Sequence, residues 1–169
     1  MEVSGLHLRP RPYADADFAD CAALWERCGL KTWYNPPDRD IARWLNSPNS
    51  EILVISDGNA LLGSVCVGHD GHRGWLYALA VDPEHQHKGY GRQLVRAAEA
   101  WLEKHEIPKV QLMVRSTNTK VAGFYRSLGY HSEPRSVFAR WLDDPGPPPE
   151  GAPTPDWLQP KAEKPATID

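Results

Sequence analysis

The sequence contains no apolar run that approaches the ~20 residues of a membrane-spanning helix. Its first residues also lack the basic segment and apolar core of an export signal. The three cysteines are an odd number without a C-x-x-C pair, which argues against both a disulfide framework and a zinc site. A formal net charge of -3 gives no electrostatic case for nucleic acid or for an anionic membrane. We therefore expect a soluble cytoplasmic protein, monomer or homodimer, that binds no nucleic acid, membrane or metal.

The composition changes sharply near the carboxyl-terminal end of the chain. A length of 169 residues suits one domain with its own core. Residues 143–169, however, hold eight of the sixteen prolines and few large apolar side chains. We predict one domain over residues 1–142 and a proline-rich, extended or disordered tail over residues 143–169. The alternative is that Trp157 and Leu158 dock on the domain.

Hydrophobic periodicity predicts strands and helices in an order that is neither a regular β-α alternation nor a helical bundle. This order favours an α/β fold of the α+β type, with a mixed sheet flanked by helices. The predicted strands are residues 6–10, 51–56, 60–68, 75–81, 109–114, 130–131 and 136–142. The predicted helices are residues 15–28, 38–45 and 118–128, and a helix of roughly four turns that starts at Gly91.

A glycine-containing turn joins the strand that ends at Val81 to the longest predicted helix. Gln86, Gly89 and Gly91 spell Q-x-x-G-x-G, which places the glycines at the start of a helix, where unpaired backbone N–H groups favour an anion such as phosphate. A dinucleotide-binding turn is excluded, because seven residues separate Val81 from Gly89 and Leu94 stands where a third glycine belongs. An ATP-type loop is excluded because no Gly-Lys-Ser or Gly-Lys-Thr occurs.

This turn resembles motif A of the GNAT superfamily of acetyl-CoA-dependent N-acetyltransferases, Q/R-x-x-G-x-G/A after an apolar strand. A second segment, with Asn118 and Tyr125, resembles the motif B of that superfamily. Motif B is also similar to that of the ribosomal-protein N-terminal acetyltransferases. The runs L-W-E-R-C-G-L and D-G-H-R-G resemble a small bacterial subgroup of the superfamily. The resemblance extends over roughly residues 6–142 and identifies the chain as an acyltransferase of this type.

The resemblance implies a GNAT fold with a mixed sheet of about seven strands and about four helices. The strands that end at Val81 and start at Lys109 are expected to splay into a V-shaped cleft, in which the pantetheine arm of acetyl-CoA pairs with strand backbone. Lys88 or Arg92 would add charge beside the pyrophosphate, and Asn118 would both cap a helix and contact the cofactor. The residues implied in binding acetyl-CoA are Leu79, Ala80, Val81, Gln86, His87, Lys88, Gly89, Tyr90, Gly91, Arg92, Asn118 and Tyr125.

Tyr125 matches a family tyrosine that lies beside the thioester sulfur and protonates the departing thiolate as a general acid. The alternative is a core tyrosine that only packs. In many relatives a glutamate on the strand before motif A acts as the general base, but residues 75–81 contain no acidic residue. The candidates for the general base are Asp70, His72, Tyr77 and Glu84.

The acceptor is less constrained than the donor, because one fold supports many chemistries. Trp33 and Tyr34 are the predicted wall of the acceptor site, where their rings could stack on a substrate or hold a cation; alternatively they cover the core. We expect direct attack of a primary amine, either a small amine or a peptide α-amine, on acetyl-CoA within a ternary complex. The competing hypothesis is a CoA-binding or acyl-CoA-binding module without catalysis.

Overall fold

The computed structural model describes residues 8–152 and residue 155. The chain divides into two compact units, Met1–Ser136 and Val137–Asp169, and the helices and strands of the described residues lie in the first. The strands are β1 (Arg11–Pro12), β2 (Ser50–Ser56), β3 (Leu61–His69), β4 (Gly74–Val81) and β5 (Val110–Gln111). The α-helices are α1 (Phe18–Arg27), α2 (Pro37–Leu45), α3 (Tyr90–Lys104) and α4 (Thr119–Ser127), with short 3-10 turns at Asp15–Asp17 and Pro83–His85. No helix in this described part is both long and apolar enough to cross a bilayer.

The sheet has the order β1-β2-β3-β4-β5, and it is mixed as predicted. The first four strands pair antiparallel, whereas β4 and β5 run parallel. The parallel pairing consists of Gly74 with Val110 and Trp75 with Gln111. Beyond Trp75, the edge of β4 that faces β5 therefore has no strand partner in the described residues. The pairing therefore ends at the place where the V-shaped opening is predicted.

The helices cover both faces of the sheet, because apolar side chains alternate along the central strands. Val54 points to the cluster formed with α1 and α2, while its neighbour Ile55 points to the cluster formed with α3 and α4. The buried indole of Trp25 on α1 donates a 2.9 Å hydrogen bond to the hydroxyl of Ser64 on β3. This bond satisfies a buried polar group and fixes α1 on the sheet.

The described residues contain five strands instead of about seven. The first strand is Arg11–Pro12, and the segment from Leu8 to Pro10 carries no strand pairing; Leu6 and His7 lie outside the described residues. Proline is tolerated at Pro12 because β1 is an edge strand. The strand predicted over residues 109–114 is shortened to Val110–Gln111, since β4 diverges from it.

The two closing strands predicted over residues 130–131 and 136–142 do not form. Pro134 interrupts the segment and has no N–H to donate to a ladder. The carboxylate of Glu133 is instead held by ion pairs with Lys109 and Arg135. The domain boundary after residue 142 stays a prediction, and the docking alternative for Trp157 and Leu158 falls outside the described residues.

Candidate active site

Side-chain contacts from two elements hold the loop that follows β4. Asp82 caps the 3-10 turn by accepting a 3.0 Å hydrogen bond from the N–H of Glu84. Its other carboxylate oxygen accepts from both Nε and Nη2 of Arg27, at 3.0 and 2.8 Å. The side-chain amide of Gln86 donates to the carbonyl of Val81 at 3.4 Å. The motif glutamine therefore braces the loop against the end of β4.

The turn before α3 alternates between positive and negative φ. His87 has φ 62° and Gly89 has φ 87°, while Lys88 between them lies outside the positive-φ region. Such alternation turns successive backbone N–H groups toward one concave point, which favours an anion. The hydrogen bond from the N–H of Gln93 to the carbonyl of Gly89, at 3.1 Å, begins the helical ladder. The amides just before Gln93 therefore precede the ladder, and this geometry suits the predicted phosphate contact.

The two motif glycines meet different steric requirements. Gly89 is the N-cap of α3 and has a left-handed backbone, and a Cβ at this position would meet only open space. Gly91 is different, because a Cβ there would lie 3.3 Å from Cζ of Phe124 on α4. Its small size therefore lets α3 approach α4, while Gly89 supplies the turn.

A β-bulge interrupts β4 halfway along its length. Tyr77 pairs with Cys66 and Ala80 with Ser64, so Ala78 and Leu79 together face one residue of β3. Ala78 has φ 48°, a conformation that alanine rarely adopts. Bulges of this kind re-aim side chains and backbone groups beside functional sites. No residue pattern in the sequence indicates the bulge, because glycine is the usual marker of such a backbone.

Asn118 is the N-cap of α4, as predicted. Its Oδ1 accepts a hydrogen bond from the N–H of Val121 at 3.1 Å. The cap uses the acceptor of the amide and not its NH₂ donors, which are the groups available for a ligand. The contact with acetyl-CoA stays a prediction.

Tyr125 lies near the end of α4, in the apolar cluster that this helix forms with α3. Its side chain is 8% exposed and packs edge-on against the rings of Phe124 and Tyr130, at 5.1 and 5.4 Å between centroids. Burial raises the pKa of the Tyr125 hydroxyl to about 12. The phenol is therefore protonated at neutral pH, as a proton donor must be. The packing role is present, and the catalytic role stays a prediction.

A cavity of about 340 Å³ lies between the end of α2 and the first half of β4. Of the four candidate bases, Asp70 and Tyr77 line it, while His72 and Glu84 lie outside the lining. Trp33 and Tyr34 contact each other edge-on at 4.6 Å in the loop between α1 and α2 and do not line this cavity. The lining consists of Arg43, Trp44, Ser47, Asn49, Ser50, Gly68, His69, Asp70, Trp75 and Tyr77.

The two candidate bases in the lining differ in proton affinity. Backbone N–H groups of Arg73 and His72 donate to Asp70, and they lower the pKa of its carboxyl to about 2. Desolvation raises the pKa of the Tyr77 hydroxyl above its ordinary value. At neutral pH Asp70 is thus an anion with low proton affinity, and Tyr77 is a neutral phenol.

Sequence reasoning missed Trp44, Trp75 and Gly68 as parts of this cavity. Trp44 marks the apolar face of α2 in the sequence, and Trp75 marks the apolar start of β4. Neither position shows that the two rings lie on the same side of the sheet, because that depends on the register of β3 with β4. Asp40, which lies outside the lining, is half-buried on α2, and desolvation raises the pKa of its carboxyl.

Most of the chain matches one protein family. Residues 18–130 match the model of the acetyltransferase (GNAT) family. Acetyltransferase YE1169 of Yersinia enterocolitica serotype O:8 / biotype 1B is 37% identical over 132 residues, which cover 78% of this chain and 94% of that protein. The similarity therefore extends over nearly the whole of that relative.

Solved structures show the same fold at low sequence identity. The structure of AAC(6')-Iy in complex with the bisubstrate analogue CoA-S-monomethyl-acetylneamine has a TM-score of 0.70 at 15% identity and covers 80% of this chain and 98% of its own. The ribosomal-protein-S18-alanine N-acetyltransferase of Escherichia coli has a TM-score of 0.63 at 20% identity, and the match covers 72% of this chain and 76% of its own. The family match, the curated relative and the cleft beside β4 agree: this chain belongs to the GNAT family of acetyltransferases.

Proposed function

We propose that the protein transfers the acetyl group of acetyl-CoA to a primary amine by direct attack within a ternary complex. The observation that carries this proposal is the position of the open edge of β4. That edge runs from Tyr77, which lines the cavity, to Val81, and the anion-favouring turn at His87–Gly89 follows it along the chain. One extended ligand with a phosphate at one end can therefore bring its other end to the cavity.

The donor would bind through backbone groups more than through side chains. The amides around Gly89 would hold the pyrophosphate, with Lys88 and Arg92 adding charge at the exposed rim. The pantetheine arm would pair with Leu79–Val81 as an added strand. Four residues of strand span about 13 Å, so the distance from Val81 to Tyr77 suits an extended arm. AAC(6')-Iy with its CoA-linked bisubstrate analogue supports a cleft of this kind.

The chemistry would begin with attack of the neutral amine on the thioester carbonyl carbon. A carbon–nitrogen bond forms, and the tetrahedral intermediate then breaks its carbon–sulfur bond and expels the CoA thiolate. Tyr125 would donate its proton to that thiolate and then regain a proton from solvent. The amine proton would pass to water, because Asp70 has low proton affinity and Tyr77 is already protonated. Asp70 and Tyr77 would then orient the amine by hydrogen bonds, and His72 and Glu84 would remain outside the reaction.

A small amine is favoured over a peptide α-amine as the acceptor, because the cavity is at the lower end of the volumes of small-molecule sites. One structural relative is the ribosomal-protein-S18-alanine N-acetyltransferase. A peptide α-amine is therefore the second acceptor class to compare with a small amine. Both acceptor classes would present a primary amine to the same thioester.

The experiment is a thiol-release assay with acetyl-CoA and a panel of amines and amino-terminal peptides, with acetylated products identified by mass spectrometry. The Tyr125→Phe variant should lower kcat by about 100-fold or more while CoA affinity is retained. Rates should rise with pH as the amine loses its own proton, without a decline from Tyr125 below about pH 10, since its pKa is about 12.

Two results would contradict this proposal. Tight CoA binding with no release above hydrolysis for every acceptor would favour the non-catalytic binding module. Full turnover by Tyr125→Phe across the pH range would remove the general-acid role while leaving the transfer reaction in place.

A further inference from the structure

We infer that the cavity beside β4 selects a small primary amine carried on a flat aromatic group, and this inference rests on the proposed acetyl transfer. Three aromatic side chains form its wall: Trp44 from α2, and Trp75 and Tyr77 from β4. We call these three rings the aromatic wall. Tyr77 lies between the other two, with its ring centroid 5.6 Å from Trp44 and 6.5 Å from Trp75.

The geometry of the rings leaves a face for a ligand. The planes of Trp44 and Tyr77 are tilted by 51° and those of Trp75 and Tyr77 by 31°, so the rings do not stack flat and cover one another. Tyr77 is 40% exposed although it is a large aromatic residue. An aromatic ligand can gain offset or edge-to-face contacts with such a wall.

The backbone and polar neighbours hold the two indoles in place. Gly68 forms the floor under Trp44, since a Cβ there would lie 3.1 Å from Cζ3 of the indole. The hydroxyl of Ser50 donates a 2.7 Å hydrogen bond to the carbonyl of Trp44. Nε1 of Trp75 donates to Oδ2 of Asp70 at 3.4 Å. A wall fixed before binding loses little side-chain freedom when a ligand enters.

The charges at the rim exclude a different class of amine. The lining contains one carboxylate, Asp70, and one guanidinium, Arg43. Nη1 of Arg43 also forms an ion pair with Oδ1 of Asp40 at 3.4 Å. A polycation such as an aminoglycoside is held by several negative groups, whereas this lining contributes one carboxylate. A ligand with a single amine and an apolar ring fits both the charges and a volume of about 340 Å³.

The test compares two primary amines that differ in the ring: phenethylamine and hexylamine, at equal concentrations of the neutral amine. The full-length protein should use phenethylamine with a kcat/KM about tenfold higher. Trp44→Leu should lower kcat/KM for phenethylamine about tenfold more than it lowers kcat/KM for hexylamine, so that the preference disappears. Phe18→Leu is the matched control, because it removes a 43% exposed aromatic ring of α1 that lies outside the lining; both substrates should keep their kcat/KM.

A second variant and a binding measurement keep the inference testable without turnover. A Cβ at Gly68 would lie 3.1 Å from Cζ3 of Trp44 and 3.2 Å from both the carbonyl oxygen of Asn49 and Cβ of Ser50. Gly68→Ala should therefore crowd this side of the aromatic wall and reduce the preference for phenethylamine. Calorimetric titration of the CoA-loaded protein should show tighter binding of phenethylamine than of hexylamine, and Trp44→Leu should abolish the difference.

The outcomes separate the two proposals. Equal use and equal binding of both amines, or a polycationic aminoglycoside acetylated better than phenethylamine, would overturn the aromatic selectivity while acetyl transfer stands. Absence of transfer to every amine would overturn the proposed function; selective binding of phenethylamine would then still support the aromatic wall as a binding site.

Discussion

Gly89 and Gly58 both have left-handed backbones with open space around them, but they lie in different turns. Gly89 has φ 87° at the start of α3, and Gly58 has φ 94° in the hairpin between β2 and β3. A side chain at either position costs backbone strain without a clash. They are therefore a matched pair for separating the stability of a turn from its function.

We expect Gly89→Ala and Gly58→Ala each to lower the free energy of unfolding by about 1 kcal/mol, the strain of a left-handed alanine. Only Gly89→Ala should weaken binding of CoA, by about tenfold, because it alters the turn whose amides are proposed to hold the pyrophosphate. Urea unfolding and calorimetric titration with CoA measure the two effects. Equal loss of CoA affinity in both variants would place the phosphate contact elsewhere.

At the scale of the element, α4 carries both residues of motif B that the sequence singled out. Asn118 begins the helix through its cap, and Tyr125 lies buried near its end. A weakened start of the helix therefore affects Tyr125 through the backbone. Stability and function are coupled at this position, and two substitutions are needed to separate them.

We expect Asn118→Ala to lower the free energy of unfolding by about 1 kcal/mol, because the bond to the N–H of Val121 is lost. Asn118→Asp should keep the wild-type stability, since aspartate caps as well as asparagine, but it removes the NH₂ donors. If the amide contacts acetyl-CoA, Asn118→Asp will raise the KM for acetyl-CoA. An unchanged KM in Asn118→Asp would mean that Asn118 serves the helix alone.

The β4 strand shows how local irregularity serves the site. Its bulge at Ala78 separates Tyr77, on the cavity side, from Leu79–Val81, where the donor arm is proposed to pair. An ideal strand would continue one register through both regions. In the proposed reaction, the bulge would let one strand present side chains to the acceptor and backbone to the donor.

At the scale of the whole molecule, the elements of the site lie in the unit Met1–Ser136. We expect a chain that ends at residue 142 to keep its Tm within about 2 °C and its affinity for CoA, because the proline-rich composition of residues 143–169 supplies few apolar contacts. Thermal unfolding and CoA titration of the shortened chain are the measurements. A fall in Tm of about 5 °C or more would instead support docking of Trp157 and Leu158.

Local chemistry made much of the fold predictable. The apolar periodicity of α3 and the Asp57 hairpin, whose carboxylate accepts from the N–H groups of Asn59 and Ala60, depend on residues close in sequence. The missing closing strands were not predictable in the same way. Alternating residues after Tyr130 favour a strand, but a strand also needs a partner edge, and residues near Pro134 form none.

The sequence by itself determined the family, the anion-favouring turn at Gln86–Gly91 and the cap at Asn118. Each of these depends on residues that are close together in the sequence and on the backbone conformation that those residues adopt. Only the tertiary structure decided that Trp44 meets Tyr77, that Asp70 orients Trp75 and that β4 bulges at Ala78. These features depend on strand register and on how α2 packs on the sheet. The proposed donor end of the site is thus a local property of the chain, and the proposed acceptor end is a property of the fold.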